Sequence, residues 1–394
     1  MRTQVGIIGA GPAGLMLAHL LHLHGIDSVV LERQTREHIE RRIRAGVLEQ
    51  GTVDLLDELG LAGRLHRESL VHTGLELLFD GEGHRIPLTD LTGRGVTIYA
   101  QHELIKDLVA ARLDTGRALL FSAAATGIDG PAGDAPVIRF RQEDRDVELH
   151  CDIVAGCDGF HGVSRAAVPA GAITAYDHVY PYSWLGVLAQ APPSSEELIY
   201  AHHDDGFALH SMRSPEITRL YLQVAPDERI EEWPDERIWE GLRARLHRRD
   251  GFRLNTGPIL DKGVTALRSY VTEPMRHGRL FLAGDSAHIV PATGAKGLNL
   301  AVADVYVLAA AINDWYSAGS DAGLDAYSST CLRRVWRVQH FSWWMTSMLH
   351  RLPEPDPFGA RLQLSQLRYL TSSAAAATSF AENYVGLPLP KGGW

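Results

Sequence analysis

The sequence predicts an α/β protein that consists of a Rossmann-like nucleotide-binding domain, an antiparallel β-sheet domain inserted in it, and a helical C-terminal region. Three stretches of the chain predict this architecture. A strand–turn–helix–strand unit opens the chain at 1–32, a second strand–turn–helix unit lies at 279–300, and strand-like runs rich in aromatic residues occupy 182–224. Because the two nucleotide-type units flank the strand-rich block, we expect the first domain to be discontinuous.

The opening unit has the residue types and spacing of a dinucleotide-binding fold. Thr3 to Ile8 is predicted as a buried strand, which leads into the GxGxxG sequence of residues 9–14. Gly9 allows a tight turn, Gly11 lets the backbone approach a pyrophosphate, and Gly14 lets helix and strand pack closely. The N-terminus of the following helix offers free N–H groups to the phosphates.

The segment after this helix also fits a dinucleotide-binding fold. Ser28 to Leu31 is predicted as a second strand, and Glu32 at its end can accept hydrogen bonds from a ribose. A basic cluster follows, which either holds cofactor phosphates or forms a solvated face; it comprises Arg33, Arg36, Arg41, Arg42 and Arg44. We expect 46–59 to form an amphipathic helix.

The remaining elements follow from hydrophobic periodicity and turn residues. Helices are predicted at 101–113 and 235–246, and strands at 74–79, 85–88, 137–140, 147–151, 183–189, 198–202, 207–213 and 219–224. The predicted domains are the nucleotide-binding domain (1–71, 98–175 and 264–320), the sheet domain (72–97 and 176–263) and the helical region (321–394).

The second nucleotide-type unit lies late in the chain. Leu280 to Ala283 is predicted as a strand, and Asp285 in the turn after it can accept a hydrogen bond from a ribityl hydroxyl. Gly294 to Asn299 opens a helix that runs to about Asn313 and directs N–H groups toward a flavin ring or a pyrophosphate. A turn and helix cap without a ligand is the alternative.

Composition and charge limit the classes of partner. The chain has 394 residues, of which 45% are hydrophobic and 22% charged, and its net charge of −10 argues against nucleic acid as a partner. No apolar run approaches the ~20 residues that span a bilayer, so we expect no membrane association. The immediate strand leaves no room for a signal peptide, and the three cysteines form no CxxC, so we expect reduced thiols and a cytoplasmic location.

Three motifs in this order resemble those of the FAD-dependent aromatic hydroxylases. They are GAGPAG at 9–14, CDG at 157–159 and GDSAH at 284–288. Four longer stretches, which are far more specific, resemble the members of that family that act on 4-hydroxybenzoate: RIRAGVLEQG (42–51), ELIYAHH (197–203), FSWWMTS (341–347) and AENYVGLP (381–388). The resemblance covers essentially the whole chain.

The resemblance implies hydroxylation of 4-hydroxybenzoate at its 3-position. The product is 3,4-dihydroxybenzoate, and the reaction consumes dioxygen and NADPH, with the use of NADH left open, through a flavin hydroperoxide on bound FAD. Phenols with a pKa near ~10 are mostly neutral at pH 7, and a phenolate is the better nucleophile. A site that removes the phenolic proton therefore accelerates hydroxylation beside that oxygen.

The resemblance also implies a role for each of several residues. FAD is expected at Gly9, Gly11, Gly14, Glu32, Arg42, Arg44, Val47, Gln101, Arg219, Asp285, Leu298 and Asn299, with Lys296 adding positive charge nearby. The substrate is expected at Tyr200, Ser211, Arg213, Tyr221 and Ala292, and a proton relay at Tyr200, Tyr384 and His72. The nicotinamide cofactor is expected at Arg33, Gln34, His38, Arg42 and Arg44.

Some alternatives stay open at this point. The family usually has two consecutive prolines where this chain has Pro291 and Ala292, and alanine keeps the carbonyl but loosens φ. A hydroxylase of another phenolic acid, a flavin oxidase or dehydrogenase, and a non-catalytic flavoprotein are the other functions considered. An aromatic cluster predicted on a helix forms either intrachain core or a homodimer contact; it comprises Trp336, Phe341, Trp343, Trp344 and Met345.

Overall fold

The computed structural model describes residues 1–42, 46–352, 354 and 356–389, and Arg44 therefore lies outside the described residues. The α-helices are α1 (Pro12–Leu23), α2 (Arg36–Arg41), α3 (Gln50–Glu58), α4 (Gly63–Glu68), α5 (Leu88–Thr92), α6 (Gln101–Asp114), α7 (Asp235–Arg245), α8 (Gly297–Ala318), α9 (Ala322–Leu349), α10 (Pro357–Ser372) and α11 (Ala374–Val385). Short 3-10 helices lie at Arg165–Ala167, Ile230–Glu232, Gly284–Ser286 and Ala292–Gly294.

The strands divide among several sheets. In chain order they are β1 (Val5–Ile8), β2 (Ser28–Leu31), β3 (Val47–Glu49), β4 (Leu70–His72), β5 (Leu75–Phe79), β6 (Glu82–Ile86), β7 (Val96–Ile98), β8 (Leu119–Leu120), β9 (Ala124–Asp129), β10 (Val137–Gln142), β11 (Arg145–His150), β12 (Ile153–Gly156), β13 (Thr174–Ala189), β14 (Leu198–Ala201), β15 (Ala208–Met212), β16 (Thr218–Val224), β17 (Ile259–Glu273), β18 (Arg276–His277), β19 (Leu280–Leu282) and β20 (His288–Ile289).

A six-stranded sheet forms the first half of the molecule, in the order β18-β19-β12-β1-β2-β8. Its pairs are parallel apart from the edge pair of β18 and β19, and Val5 of β1 lies between Ser28 of β2 and Ile153 of β12. Every residue of β1, β2 and β12 is buried, because helices cover both faces of such a sheet. The predicted Rossmann-like fold is confirmed, with β1 and β2 placed to within two residues.

An eight-stranded sheet forms the second half, in the order β20-β17-β13-β16-β15-β14-β5-β6. It is antiparallel except where β14 runs parallel to β5. The predicted inserted antiparallel sheet is therefore present. Its two longest strands, β13 and β17, cross the predicted domain boundaries at 175/176 and 263/264. The ends of these strands therefore do not mark the two boundaries, which stay a prediction.

Two smaller sheets complete the strands, in the orders β11-β10-β9 and β3-β7-β4. The second corrects the predicted helix over 46–59, because β3 pairs with β7, Val47 opposite Ile98, and α3 begins only at Gln50. Pairing with a strand about fifty residues away overrides the local helical pattern in this segment.

The β5–β6 hairpin is tighter than its sequence predicted. The predicted strands 74–79 and 85–88 leave 80–84 as their connection, but β6 already begins at Glu82. Asp80 and Gly81 both have positive φ, 52° and 71°, which is typical of the two-residue turns whose twist matches that of paired strands.

Helix α8 is the one helix among the described residues that is long and apolar enough, by length and composition, to cross a membrane. The prediction that no apolar run approaches that length was therefore wrong. In the structure, 67% of the most apolar window of α8 is buried, against α1 and α9 among other elements. Such burial is typical of a core helix.

The aromatic cluster on α9 divides into two parts. Phe341 and Met345 are buried in a core that also contains Phe380 of α11, whereas the side chains of Trp336 and Trp343 are 41% and 48% exposed. The intrachain alternative is correct for the first part, and a dimer contact at the second stays a prediction.

Candidate functional site

The three glycines of the opening turn occupy positions with different physical demands. Gly9 has φ of +104°, and a Cβ there would lie 2.4 Å from the carbonyl oxygen of Cys157. A Cβ at Gly14 would lie 2.0 Å from the carbonyl oxygen of Gly9. At Gly11, by contrast, a Cβ would meet nothing within 4 Å, so this backbone faces open space at the start of α1. That space is where the predicted cofactor would approach the chain.

Glu32 fixes the shape of this turn. Its Oε2 accepts a hydrogen bond from the N–H of Ala10 at 2.8 Å, and its Oε1 accepts one from the N–H of Gln34 at 2.8 Å. A carboxylate has about four acceptor positions, so Glu32 can also accept from a ribose hydroxyl. The predicted ribose ligand therefore lies beside the glycine turn.

Asp158 is a candidate site residue to which the sequence analysis assigned no role. A Cβ at Gly9 would lie 3.0 Å from its Cα, so the turn after β12 touches the glycine turn. Asp158 Oδ2 accepts a hydrogen bond from the N–H of Ser164, but Oδ1 is buried and has no hydrogen-bond partner in the described parts of the chain. Burial raises the pKa of Asp158. The CDG motif at 157–159 is the sequence pattern that could have indicated this role.

The start of α8 is held by a buried polar network. Asn299 Oδ1 accepts hydrogen bonds from the N–H of Glu49 and the hydroxyl of Thr52, both at 2.9 Å, and its Nδ2 donates to the carbonyl of Val47. Lys296 Nζ donates to Glu49 Oε1 at 2.8 Å. Burial lowers the pKa of Lys296, and Glu49 opposes that change. The predicted cofactor residues Asn299 and Val47 thus meet at one point.

The other predicted cofactor residues lie around the same region. Gln101 is the first residue of α6, Leu298 lies in the first turn of α8, and Asp285 projects as an exposed residue from the turn after β19. The open space at Gly11 and the orphaned Asp158 oxygen together fit a dinucleotide cofactor. Arg42 is exposed at the end of α2.

Three of the five predicted substrate residues, Tyr200, Ser211 and Tyr221, share one face of the eight-stranded sheet, whereas Ala292 lies in the 3-10 helix before α8. Tyr200 lies opposite Leu209, which lies opposite Tyr221, so these three side chains point to the same side. Ser211, two residues beyond Leu209, lies opposite Arg219 on that side as well. Strand register therefore brings together residues that the sequence separates.

Two further residues shape this face and were missed by the sequence analysis. A Cβ at Gly186 would lie 2.9 Å from Arg219 Nη2 and 3.2 Å from the Tyr221 ring, so only glycine leaves room for them. Trp184 stacks on Phe207 with ring centroids 5.1 Å apart, and lies 4.8 Å from Tyr221. Neither residue belongs to a recognisable motif, because its role depends on strand register.

Arg213 is a cation without a carboxylate partner. Its Nη1 donates to Ser211 Oγ at 3.1 Å and to the carbonyl of Met212 at 2.9 Å, and its Nε is buried without a hydrogen-bond partner within the described ranges. Burial lowers the pKa of Arg213, but a guanidinium stays protonated at pH 7. No acidic side chain pairs with it in the described part of the molecule. The site therefore presents an uncompensated positive charge.

A pair of buried tyrosines lies on the same face. The hydroxyls of Tyr200 on β14 and Tyr384 on α11 are 2.8 Å apart, and both side chains are 1% exposed. Burial raises the pKa of each tyrosine above its ordinary value, so both are neutral at pH 7. A hydroxyl can donate and accept a hydrogen bond at once, which is what proton transfer along such a pair requires.

The structure does not bring His72 into hydrogen-bond contact with the tyrosine pair, and its part in the relay stays a prediction. This histidine is 2% exposed, and neither ring nitrogen forms a hydrogen bond to either tyrosine or to any other described residue. Burial lowers the pKa of His72 to about 4, whereas Glu197 raises it only in part. A histidine with an ordinary pKa near ~6.5 would be partly protonated near neutral pH, whereas His72 is neutral there.

The predicted nicotinamide residues lie on and before α2. Arg33 and His38 are exposed, and Gln34 is half-buried. Glu40, which the sequence places among these cations, pairs with Arg36 at 2.6 Å. Its negative charge is thereby partly neutralised, which lowers its repulsion of a phosphate.

Comparison with known proteins identifies the family. Residues 2–342 match the family model described as FAD binding domain. The chain is 46% identical over 98% of its length to p-hydroxybenzoate hydroxylase of Acinetobacter baylyi, and the match covers 96% of that protein. It is 27% identical over 82% of its length to rifampicin monooxygenase of Streptomyces venezuelae, of which 67% is covered.

Solved structures give the same fold. The p-nitrophenol 4-monooxygenase of Pseudomonas putida matches with a TM-score of 0.83 at 19% identity, covering 98% of this chain and 99% of that one. A ternary complex of aklavinone-11 hydroxylase with FAD and aklavinone matches with a TM-score of 0.74 at 24% identity, covering 88% and 69%.

The glycine turn yields a prediction that separates folding from cofactor binding. Gly14→Ala should lower the melting temperature of the apoprotein, because overpacking a filled position costs about 1–3 kcal/mol. Gly11→Ala should leave that temperature nearly unchanged but weaken FAD binding at least about tenfold, because the methyl group projects where the pyrophosphate would lie. Calorimetry of the apoproteins and FAD fluorescence titration measure the two effects. Unchanged FAD affinity in Gly11→Ala would contradict this assignment.

Proposed function

This chain belongs to the FAD binding domain family and is an FAD-dependent aromatic hydroxylase, and from that premise we propose that it hydroxylates 4-hydroxybenzoate at the 3-position. The product is 3,4-dihydroxybenzoate, and NADPH and dioxygen are consumed. The observation that carries the substrate proposal is the unpaired Arg213 on the sheet face that also holds the Tyr200–Tyr384 hydroxyl pair. One end of this face suits a carboxylate and the other suits a phenol.

Different residues of this sheet face bind the carboxylate and the phenolic oxygen of the substrate. Arg213 offers a planar guanidinium to the carboxylate, with the Ser211 and Tyr221 hydroxyls beside it. Tyr200 holds the phenolic oxygen and passes its proton to Tyr384, which leaves the more nucleophilic phenolate. When bound, FAD supplies the redox chemistry that activates dioxygen. The route from Tyr384 to solvent through His72 stays a prediction, and a histidine that is neutral at pH 7 would serve there as a proton acceptor.

One assay tests the proposal. The purified protein is incubated with FAD, NADPH and 4-hydroxybenzoate, and dihydroxybenzoate and dioxygen uptake are both measured. We expect one product molecule per dioxygen. Dioxygen uptake without dihydroxybenzoate would indicate an oxidase, and the absence of both would indicate a non-catalytic flavoprotein. Benzoate is the matched control, because it retains the carboxylate but offers no phenolic proton.

Three further features of the proposal come from the sequence. Trp336 and Trp343 are proposed to contribute to a homodimer contact. A monomer mass from light scattering at working concentration would rule the dimer out. A cytoplasmic location and the absence of membrane and nucleic-acid partners complete the proposal.

Cofactor preference gives a prediction on the segment around α2. We propose that Arg33, Gln34, His38, Arg42 and Arg44 bind the nicotinamide cofactor and favour NADPH. Arg33→Gln should lower the ratio of kcat/KM for NADPH to that for NADH several-fold, because a charge-assisted phosphate contact is lost. Arg41→Gln is the control, since Arg41 pairs with Glu37 at 2.8 Å. A wild-type enzyme that uses NADH equally well or better would count against phosphate recognition here.

Loss of the carboxylate anchor gives a second prediction. Arg213→Ala should weaken 4-hydroxybenzoate binding by orders of magnitude, because a buried charged contact contributes about 2–5 kcal/mol. FAD content should stay the same. Isothermal titration calorimetry measures the change, and Arg249→Ala, a charge removed from the exposed ion pair with Glu82 near the same sheet, is the control. Near-normal affinity in Arg213→Ala would overturn the assignment.

The hydroxyl pair gives a third prediction. Tyr200→Phe and Tyr384→Phe should both bind FAD and substrate but hydroxylate about 10²–10⁴-fold more slowly, the range of a general acid–base contribution. Dioxygen uptake should then yield hydrogen peroxide in place of product. The exposed Tyr369 supplies the control variant Tyr369→Phe. A wild-type rate with full yield of product in Tyr200→Phe would exclude the relay.

A further inference from the structure

A buried polar stripe runs along one face of helix α9. Gln339, Ser342 and Thr346 are three and four residues apart, so they share a face of the helix. Gln339 is 5% exposed, and the other two are fully buried. Polar side chains are costly to bury unless they form hydrogen bonds, so the contacts of this stripe indicate its purpose.

Each residue of the stripe contacts the segment that links β20 to α8, which we name the 289–295 segment. Gln339 Nε2 donates to the carbonyl of Ile289 at 2.6 Å. A Cβ at Gly294 would lie 2.8 Å from Ser342 Oγ, so the backbone of the segment lies directly against the helix. The hydroxyl of Thr346 lies 2.8 Å from that of Thr293. The stripe therefore holds the segment near both of its ends.

The segment needs such support because its backbone is partly strained. Ala295 has φ of +53°, a left-handed conformation that costs a residue with a Cβ about 1–2 kcal/mol. Lys296 and helix α8 follow at once, so the position of this turn sets that of the buried ammonium. Near the middle of the segment, Ala292 is exposed whereas Thr293 and Gly294 are buried.

We propose that Thr346 and Gln339 are positioning residues that fix the 289–295 segment, and with it the Ala292 peptide, against the substrate ring. This inference rests on the proposed function and goes beyond it, since neither residue reaches the substrate. The hydroxyl of Thr346 reaches the segment through Thr293, and it also bonds to the carbonyl of Ser342 one turn earlier on α9. The amide of Gln339 reaches the segment through the backbone of Ile289, and it also donates to the carbonyl of Tyr270 on β17.

A substitution at Ala292 offers an independent way to restrain the 289–295 segment. Ala292 begins a 3-10 helix, where a φ near −65° is suitable, and Pro291 before it has ψ of 140°, which a following proline requires. The N–H of Ala292 donates no hydrogen bond among the described backbone groups. Ala292→Pro therefore fits the backbone and should compensate for a lost restraint on α9.

The experiment compares Thr346→Val, Thr346→Ser and Ala292→Pro with the double variant Ala292→Pro/Thr346→Val. In Thr346→Val we expect kcat to fall about 3- to 10-fold, the range of one buried hydrogen bond, and the yield of dihydroxybenzoate per dioxygen to fall with it. The Kd for 4-hydroxybenzoate should change less than about twofold, because Arg213 dominates binding. Thr346→Ser should restore kcat, and the Ala292→Pro background should reduce the effect of Thr346→Val to less than about twofold.

One control and one replacement variant keep the test decisive. Thr371→Val removes a hydroxyl that likewise bonds to a carbonyl one turn earlier, Leu367, but lies on α10 away from the segment, and it should leave kcat and product yield unchanged. Gln339→Met replaces Thr346→Val if the latter does not fold, with the same expected changes. Unchanged kcat and yield in Thr346→Val, or an equal loss in the presence of Ala292→Pro, would overturn the inference. A wild-type protein that forms no dihydroxybenzoate would instead refute the proposed function.

Discussion

The interaction on which the site depends is the buried contact of Lys296 with Glu49. An ammonium that is 2% exposed is stable only when paired and hydrogen-bonded, and this one donates both to Glu49 at the end of β3 and to the carbonyl of Tyr384 on α11. One side chain thus joins the N-terminal part of the chain, the start of α8 and the last described helix. Asn299, one turn further along α8, repeats the connection to the Glu49 backbone.

The parts of the fold that were predicted correctly are those with local causes. The β1–α1–β2 unit follows from hydrophobic periodicity and three glycines, so its structure is predictable without knowledge of contacts to distant parts of the chain. Segment 47–49 was mispredicted because its strand exists only through pairing with β7. The helical pattern of α8 was predicted, but the helix continues five residues beyond Asn313 and ends at Gly319, whose φ of +65° is typical of a helix C-cap.

The candidate site was predictable to the extent that motifs carry it. Tyr200 and Tyr384 are 184 residues apart, and only the resemblance to a family linked them before their hydroxyls were seen to meet. Trp184 and Gly186 escaped notice because strand register, which no local pattern specifies, decides which face they occupy. The lowered pKa of His72 was not predictable for a different reason, because it depends on burial, which the sequence does not give. On α9 the sequence predicted a role for the aromatic residues, but it did not predict one for the polar residues Gln339, Ser342 and Thr346, which share a face of the helix.

The position of Tyr384 in the chain has a consequence for biosynthesis. Domains generally fold from the N-terminus as synthesis proceeds, and the six-stranded sheet is complete once β19 has emerged at Leu282. Helix α11 emerges about a hundred residues later. A nascent chain can therefore assemble its cofactor-binding sheet well before it has a complete hydroxyl pair, so that cofactor capture and catalytic competence are separated in time on the ribosome.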